Sequence, residues 1–140
     1  MKLFTALAAS LALVSPVFAD FLLVGEVVST ENGPEDPNGK AVDSRVIGDC
    51  DAMDNSPDLD GADGNGQYPW PEEEFRTAEP LCGIALRFNK NGNDYNVFDD
   101  VTGDQVGTCG QGSGEIKFCF WGLVNAEYEY EYYCTSQVCT

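Results

Sequence analysis

An all-β fold is what this sequence predicts: a small, disulfide-stabilised antiparallel β-sandwich or barrel of about six strands. Three observations predict it. Apolar residues recur with a period of two, and no helical stripe interrupts that pattern. The strand-like runs are separated by Asn-Gly, Gly-rich and Pro-containing turns. Six cysteines, an even number, lie in a chain of only 140 residues. That length allows one domain.

The chain opens as an address. Met1 and Lys2 precede an apolar run from Leu3 to Val14, then Pro16 and Val17-Phe18-Ala19. A basic start, a short apolar core and small residues before the cut make residues 1–19 a signal peptide. The run falls short of the roughly 20 apolar residues a membrane span requires. Residues 20–140 are then one secreted β-domain.

Phe21 to Ser29 reads as a buried strand and Thr30 to Lys40 as a loop with two Asn-Gly pairs and two prolines. Ala41 to Cys50 reads as a second strand, and an acidic loop without strand character follows, around residues 51–80. The clearest hairpin alternates Cys82, Ile84, Leu86 and Phe88, turns at Asn91-Gly92 and returns through Tyr95, Val97 and Phe98. A Gly-rich loop over 107–114 leads to a strand in which Ile116, Phe118 and Phe120 share a face. After a bend near 122–125, Ala126 to Cys134 returns with Glu127, Glu129 and Glu131 on one side and Tyr128, Tyr130 and Tyr132 on the other. The second half therefore reads as a meander.

Charge narrows the function. There are 24 acidic and 7 basic residues, a net charge of −17, and no histidine. Such a chain lacks the basic face that nucleic acid requires and is repelled by anionic membrane surfaces. Without histidine, the Ser-His-Asp and Cys-His arrangements and the commonest zinc ligand are gone. Carboxylates are the only plentiful catalytic groups, and a domain this small has little room for a cleft that raises one of their pKa values. The expectation is a protein that is not an enzyme.

Cys50, Cys82, Cys109, Cys119, Cys134 and Cys139 all follow the leader, which makes three disulfides the expected use in an oxidising compartment. Fifteen pairings are open. Cys109–Cys119, closing a Gly-rich hairpin, and Cys134–Cys139, closing a short terminal loop, are the favoured local choices. No cofactor is expected beyond calcium. Between Asp49 and Glu74 lie six aspartates and three glutamates with no lysine or arginine. Asp58, Asp60 and Asp63 have the oxygen chemistry calcium prefers, although their spacing departs from an EF-hand loop. The competing reading is a solvated loop that keeps the protein soluble.

The aromatic residues supply the candidate binding groups. Trp70 stands between Pro69 and Pro71, with Tyr68 close by. That stiff triplet either displays the rings to a partner or folds Trp70 back onto the core. Tyr128, Tyr130 and Tyr132 either face inward, with the glutamates solvated, or form a platform for a protein or glycan.

Signal peptide, cysteines at positions 50, 82, 109, 119, 134 and 139, small size and all-β pattern together resemble the small secreted cysteine-rich, effector-like proteins of filamentous fungi. The resemblance implies an extracellular role towards a host or competitor. The expected function is thus a secreted, virulence-associated interaction protein, monomeric, binding an extracellular protein or glycan, with a basic surface as the natural complement. The alternative is a carbohydrate-binding module, calcium-assisted; a small glycosidase-type hydrolase comes third.

Overall fold

Alternating β-branched and aromatic residues fold as strands wherever one face can be buried. A computed structural model describes residues 20–35, 37–60, 70 and 72–139. Among them run ten strands: β1 (Phe21–Thr30), β2 (Gly33–Pro34), β3 (Asn38–Asp43), β4 (Leu59–Asp60), β5 (Glu74–Thr77), β6 (Leu86–Asn91), β7 (Asp94–Asp99), β8 (Gln105–Gln111), β9 (Ile116–Trp121) and β10 (Val124–Ser136). A 3-10 turn (Ser44–Val46) and one short helix, α1 (Cys50–Asp54), interrupt them. No helix among the described residues is long and apolar enough to cross a membrane.

All ten strands belong to one antiparallel sheet in the order β2-β1-β10-β8-β7-β6-β5-β4, with β3 also paired to β1 and β9 also paired to β10. The sheet curls into a half-barrel. Its β4 end approaches β3 through an isolated Lys40–Asp58 bridge, beside which the Ala41 N–H donates to the Pro57 carbonyl at 3.0 Å. Of the two expected architectures, the curled single sheet is the one formed, and β5 to β8 make the expected meander.

The concave side holds the main core. Phe75 stacks on Phe88 with centroids 4.8 Å apart, Tyr95 meets Phe75 edge-on at 4.9 Å, and Tyr132 meets Tyr95 at 5.2 Å. Each such pair contributes about 0.5–1.5 kcal/mol beyond simple burial. Phe21, Leu23, Leu86 and Val97 belong to the same cluster. A second cluster lies on the outer side of β1 and β10, where Leu22, Val24, Val42, Ala126, Tyr128 and Tyr130 pack with Met53 of α1. Asp49 caps that helix by accepting from the Ala52 N–H at 3.1 Å.

One residue decides which side chains of β10 enter which cluster. Leu23 pairs with Tyr132, but Val24 pairs with Tyr130, so Glu131 is the extra residue of a β-bulge. The bulge reverses the facing of the strand: Tyr132 goes to the concave core, Tyr128 and Tyr130 to the outer one. It also lies where β10 changes partner on one edge, from β9 (Val124 to Glu129) to β8 (Tyr132 to Ser136). The connection between those partners is bonded to the bulge through Gly112 N–H to Glu131 O at 2.7 Å and Gly114 N–H to Tyr130 O at 2.9 Å.

Five expectations about the strands are corrected. The loop expected over Thr30–Lys40 holds β2 and the first residues of β3. The strand expected from Cys82 begins only at Leu86, after a turn in which Cys82 and Gly83 take positive φ. The strand expected over Ala41–Cys50 ends at Asp43, because the Asp43 side chain accepts from the Arg45 N–H and opens the 3-10 turn. The segment expected to lack strands contains β4 and β5, short pieces that pair with one another. The Gly-rich loop expected over 107–114 is strand β8 as far as Gln111. With β2 as well, the strand count exceeds the expected one.

The three disulfides are Cys50–Cys119, Cys82–Cys139 and Cys109–Cys134, closing separations of 69, 57 and 25 residues. Both favoured local pairings are therefore wrong. Cys109 lies in the concave core and Cys119 in the outer cluster, so the sheet itself separates them. Cys134 sits directly opposite Cys109 in register, which leaves Cys139 to meet Cys82. Bridges of this kind typically contribute about 2–4 kcal/mol each.

The close approach of Gly112 to β10 gives a stability prediction. A Cβ there would lie 2.5 Å from the Tyr130 carbonyl oxygen and 2.9 Å from the Glu131 carbonyl carbon, whereas one at Gly110 would meet nothing within 4 Å. Gly112→Ala should lower the unfolding free energy by about 1–3 kcal/mol. Gly110→Ala should stay within about 0.5 kcal/mol of wild type. Urea unfolding of the two variants is the check, and equal effects would contradict the packing described.

Candidate functional site

Strand β9 is an edge, and its apolar residues are only half used. Cys119 and Trp121 turn towards the outer cluster, where the Trp121 Nε1 donates to Asp51 Oδ1 at 2.9 Å. Ile116, Phe118 and Phe120 point the other way and are 48%, 50% and 72% exposed, with Leu123 of the turn at 73%. The two-residue turn Gly122-Leu123 makes Trp121 and Val124 a hydrogen-bonded pair. Ladder alternation then leaves Ile116, Phe118 and Phe120 with their backbone N–H and C=O directed away from β10. No other described strand pairs with β9 on that side.

The same face is acidic. Glu129 pairs with Ile116 and Glu127 with Phe118 across the hairpin, so carboxylates alternate with exposed rings. Lys117, the basic residue of β9, pairs with Tyr128 and so lies on the opposite side of the sheet, while Lys40, Arg45, Arg76 and Arg87 are each engaged by a carboxylate of the chain. The result is an apolar edge bordered by negative charge, with an open row of backbone donors and acceptors.

A cleft of about 300 Å³ lies elsewhere, lined by Lys90, Asn93, Tyr95, Gln111, Glu131 and Tyr132. Its upper wall is the β6–β7 hairpin, whose loop is Gly92-Asn93 rather than the expected Asn91-Gly92: Asn91 and Asp94 form the closing pair, and the positive φ falls on Gly92 alone. That is the Gly-first turn, which fits the strand twist. Gln111 ends β8 directly opposite Tyr132. The Tyr95 hydroxyl donates to the Glu72 carbonyl at 3.1 Å. Burial, aided by repulsion from and hydrogen bonding with Glu129, pushes the Glu131 carboxyl up to about 7.

The sequence-derived candidates are dispersed over the fold. Tyr128 and Tyr130 are buried in the outer cluster, and only Tyr132 reaches a cleft. Burial, with Glu26 opposite, pushes the Tyr128 hydroxyl above its ordinary range. Trp70 is half-buried, edge-on to Phe75 and Tyr132 at 6.4 and 5.6 Å. Asp58 accepts from Lys40 Nζ at 2.9 Å and from Asn38 Nδ2 at 2.7 Å, while Asp60 is exposed on β4. Asp63 and Tyr68 lie outside the described residues, as does the leader over 1–19. Among the described residues, one trio brings candidate metal-ligating atoms within 4.8 Å of one another: Asp43 with Cys82 and Cys139. Those two sulfurs are joined in a disulfide and are not thiolates. Ile116, Phe118 and Phe120 were visible as one face in the sequence; that the face is outward was not.

The raised Glu131 pKa sets a pH dependence. A carboxyl that holds its proton more tightly when folded contributes stability that is complete below its ordinary value of 4.5 and lost as pH rises through about 7. Glu131→Gln removes that loss. The melting-temperature advantage of the variant over wild type should therefore grow between about pH 5 and pH 8. A pH-independent difference would contradict the assignment.

No protein-family model, curated protein or solved structure matches this chain.

Proposed function

We propose that the chain is an exported, non-catalytic interaction protein, effector-like in role, which binds an extracellular protein partner through the β9 edge. The observation that carries this reading is the exposed row Ile116, Phe118 and Phe120, with Leu123 of the adjoining turn, on a strand whose outer backbone groups have no strand partner among the described residues. Exposed aromatic clusters of this kind serve as binding anchors more often than as plain surface. The leader and three disulfides support export to an oxidising compartment.

Recognition would follow strand addition. An extended segment of the partner completes the sheet along β9, its own apolar side chains covering Phe118 and Phe120. Glu127 and Glu129 then favour lysine or arginine at intervening positions of that segment, and the net charge of −17 speeds encounter with a basic surface.

Panning a displayed library of random linear peptides against the disulfide-bonded protein tests this. The enriched peptides should alternate apolar with basic residues. Their affinity should fall by about tenfold or more in Phe118→Ser/Phe120→Ser, as when aromatic anchors are lost. It should be unchanged in Val101→Ser, an exposed apolar residue distant in sequence from the hairpin. Peptides that bind the double variant as tightly as wild type would contradict the proposal.

A further inference from the structure

We infer that the cleft between the β6–β7 turn and the Glu131 bulge is a second binding site, which takes a neutral, hydroxyl-rich ligand: one sugar residue, free or within a glycan. Nothing in this inference depends on the β9 edge.

Lining chemistry is the first argument. Asn93 and Gln111 carry amides that donate and accept at once, Glu131 brings a carboxyl, Lys90 an ammonium, and Tyr132 a half-buried ring with a hydroxyl. A sugar hydroxyl also donates and accepts, and its C–H faces pack on aromatic rings. An apolar ligand would leave the Asn93 and Gln111 amides unmatched.

Charge is the second. In a chain of net charge −17 the cleft lining holds one basic and one acidic residue, Lys90 and Glu131. Glu72 and Asp94 also act on Tyr95 and Tyr132, so an anionic ligand is repelled. A neutral ligand meets neither repulsion nor the cost of desolvating a charge of its own.

Rigidity is the third. Tyr132, Gln111 and Tyr95 stand in one hydrogen-bonded ladder, which Cys109–Cys134 clamps two residues along from the Tyr132–Gln111 pair. Tyr132 is wedged between Trp70 and Tyr95. Groups held this way lose little freedom on binding. The volume of about 300 Å³ is at the lower end for small-ligand clefts, which fits a single residue better than a long chain. The arrangement holds rather than cleaves, because Glu131 is the one carboxylate among the lining residues and hydrolysis of a glycosidic bond needs two across the bond.

The test pairs a glycan array with saturation-transfer NMR on free monosaccharides, using the full disulfide-bonded protein. Saturable binding to at least one neutral glycan or monosaccharide is expected. It should fall by about tenfold in Asn93→Ala and in Gln111→Ala, both exposed and so foldable, and be unchanged in Phe118→Ser/Phe120→Ser. Signal from free monosaccharides places recognition on the sugar residue itself; signal on the array alone places it on a residue in its chain, and either supports the inference. Absence of binding in both formats would overturn it. So would binding indifferent to both cleft variants, or a response only to calcium or spermidine.

Discussion

The structure depends on one constraint: β10 has to serve both sides of a single curled sheet. It pairs with β1 from Asn125 to Cys134, and on its other edge with β9 and then β8. The Glu131 bulge makes that possible. It inserts one residue where the partner changes and turns the strand over, so that alternating tyrosines, which would otherwise share a face, are divided between two cores. The connection from β8 to β9 lies against the bulge closely enough that only glycine fits at position 112.

Both candidate binding regions follow from the same event. Before the bulge, β9 is left with no second strand partner among the described residues and with its other apolar face exposed. At the bulge, Glu131 is pulled into partial burial beside Tyr132 and Gln111, and the cleft forms there. The disulfides hold this arrangement against strong self-repulsion. Cys50–Cys119 pins α1 to the β9 side of the sheet, Cys109–Cys134 ties β8 to β10 on the concave side, and Cys82–Cys139 secures the end of the chain. Buried Lys40 adds a further tie, donating at 3.0 Å to the carbonyls of Asp54 and Ser56.

How far the sequence foretold this differs by element. Fold class, β1, the β6–β7 hairpin, β9 and β10 were legible because they are long enough to show a period of two. Two-residue strands such as β4 have no period to read, and α1 is too short for a helical stripe. Strand β8 was hidden by its glycines, Gly107 and Gly110, which mimic a loop. The bulge was illegible. Glu-Tyr alternation across residues 127–132 is unbroken, so nothing local says that Tyr130 and Tyr132 face opposite ways, and the exchange of partners that forces it is a property of the whole sheet. The mistaken cysteine pairings share that origin, since without the reversal Cys109 and Cys119 would lie on one face.

Mapping the disulfides of the native protein by proteolysis without reduction, followed by mass spectrometry, tests the reversal at Glu131 most directly. The fold described here yields linked peptides for Cys50–Cys119, Cys82–Cys139 and Cys109–Cys134. Peptides linking Cys109 to Cys119 would place β8 and β9 cysteines on one side of the sheet, and the account of β10 would be wrong.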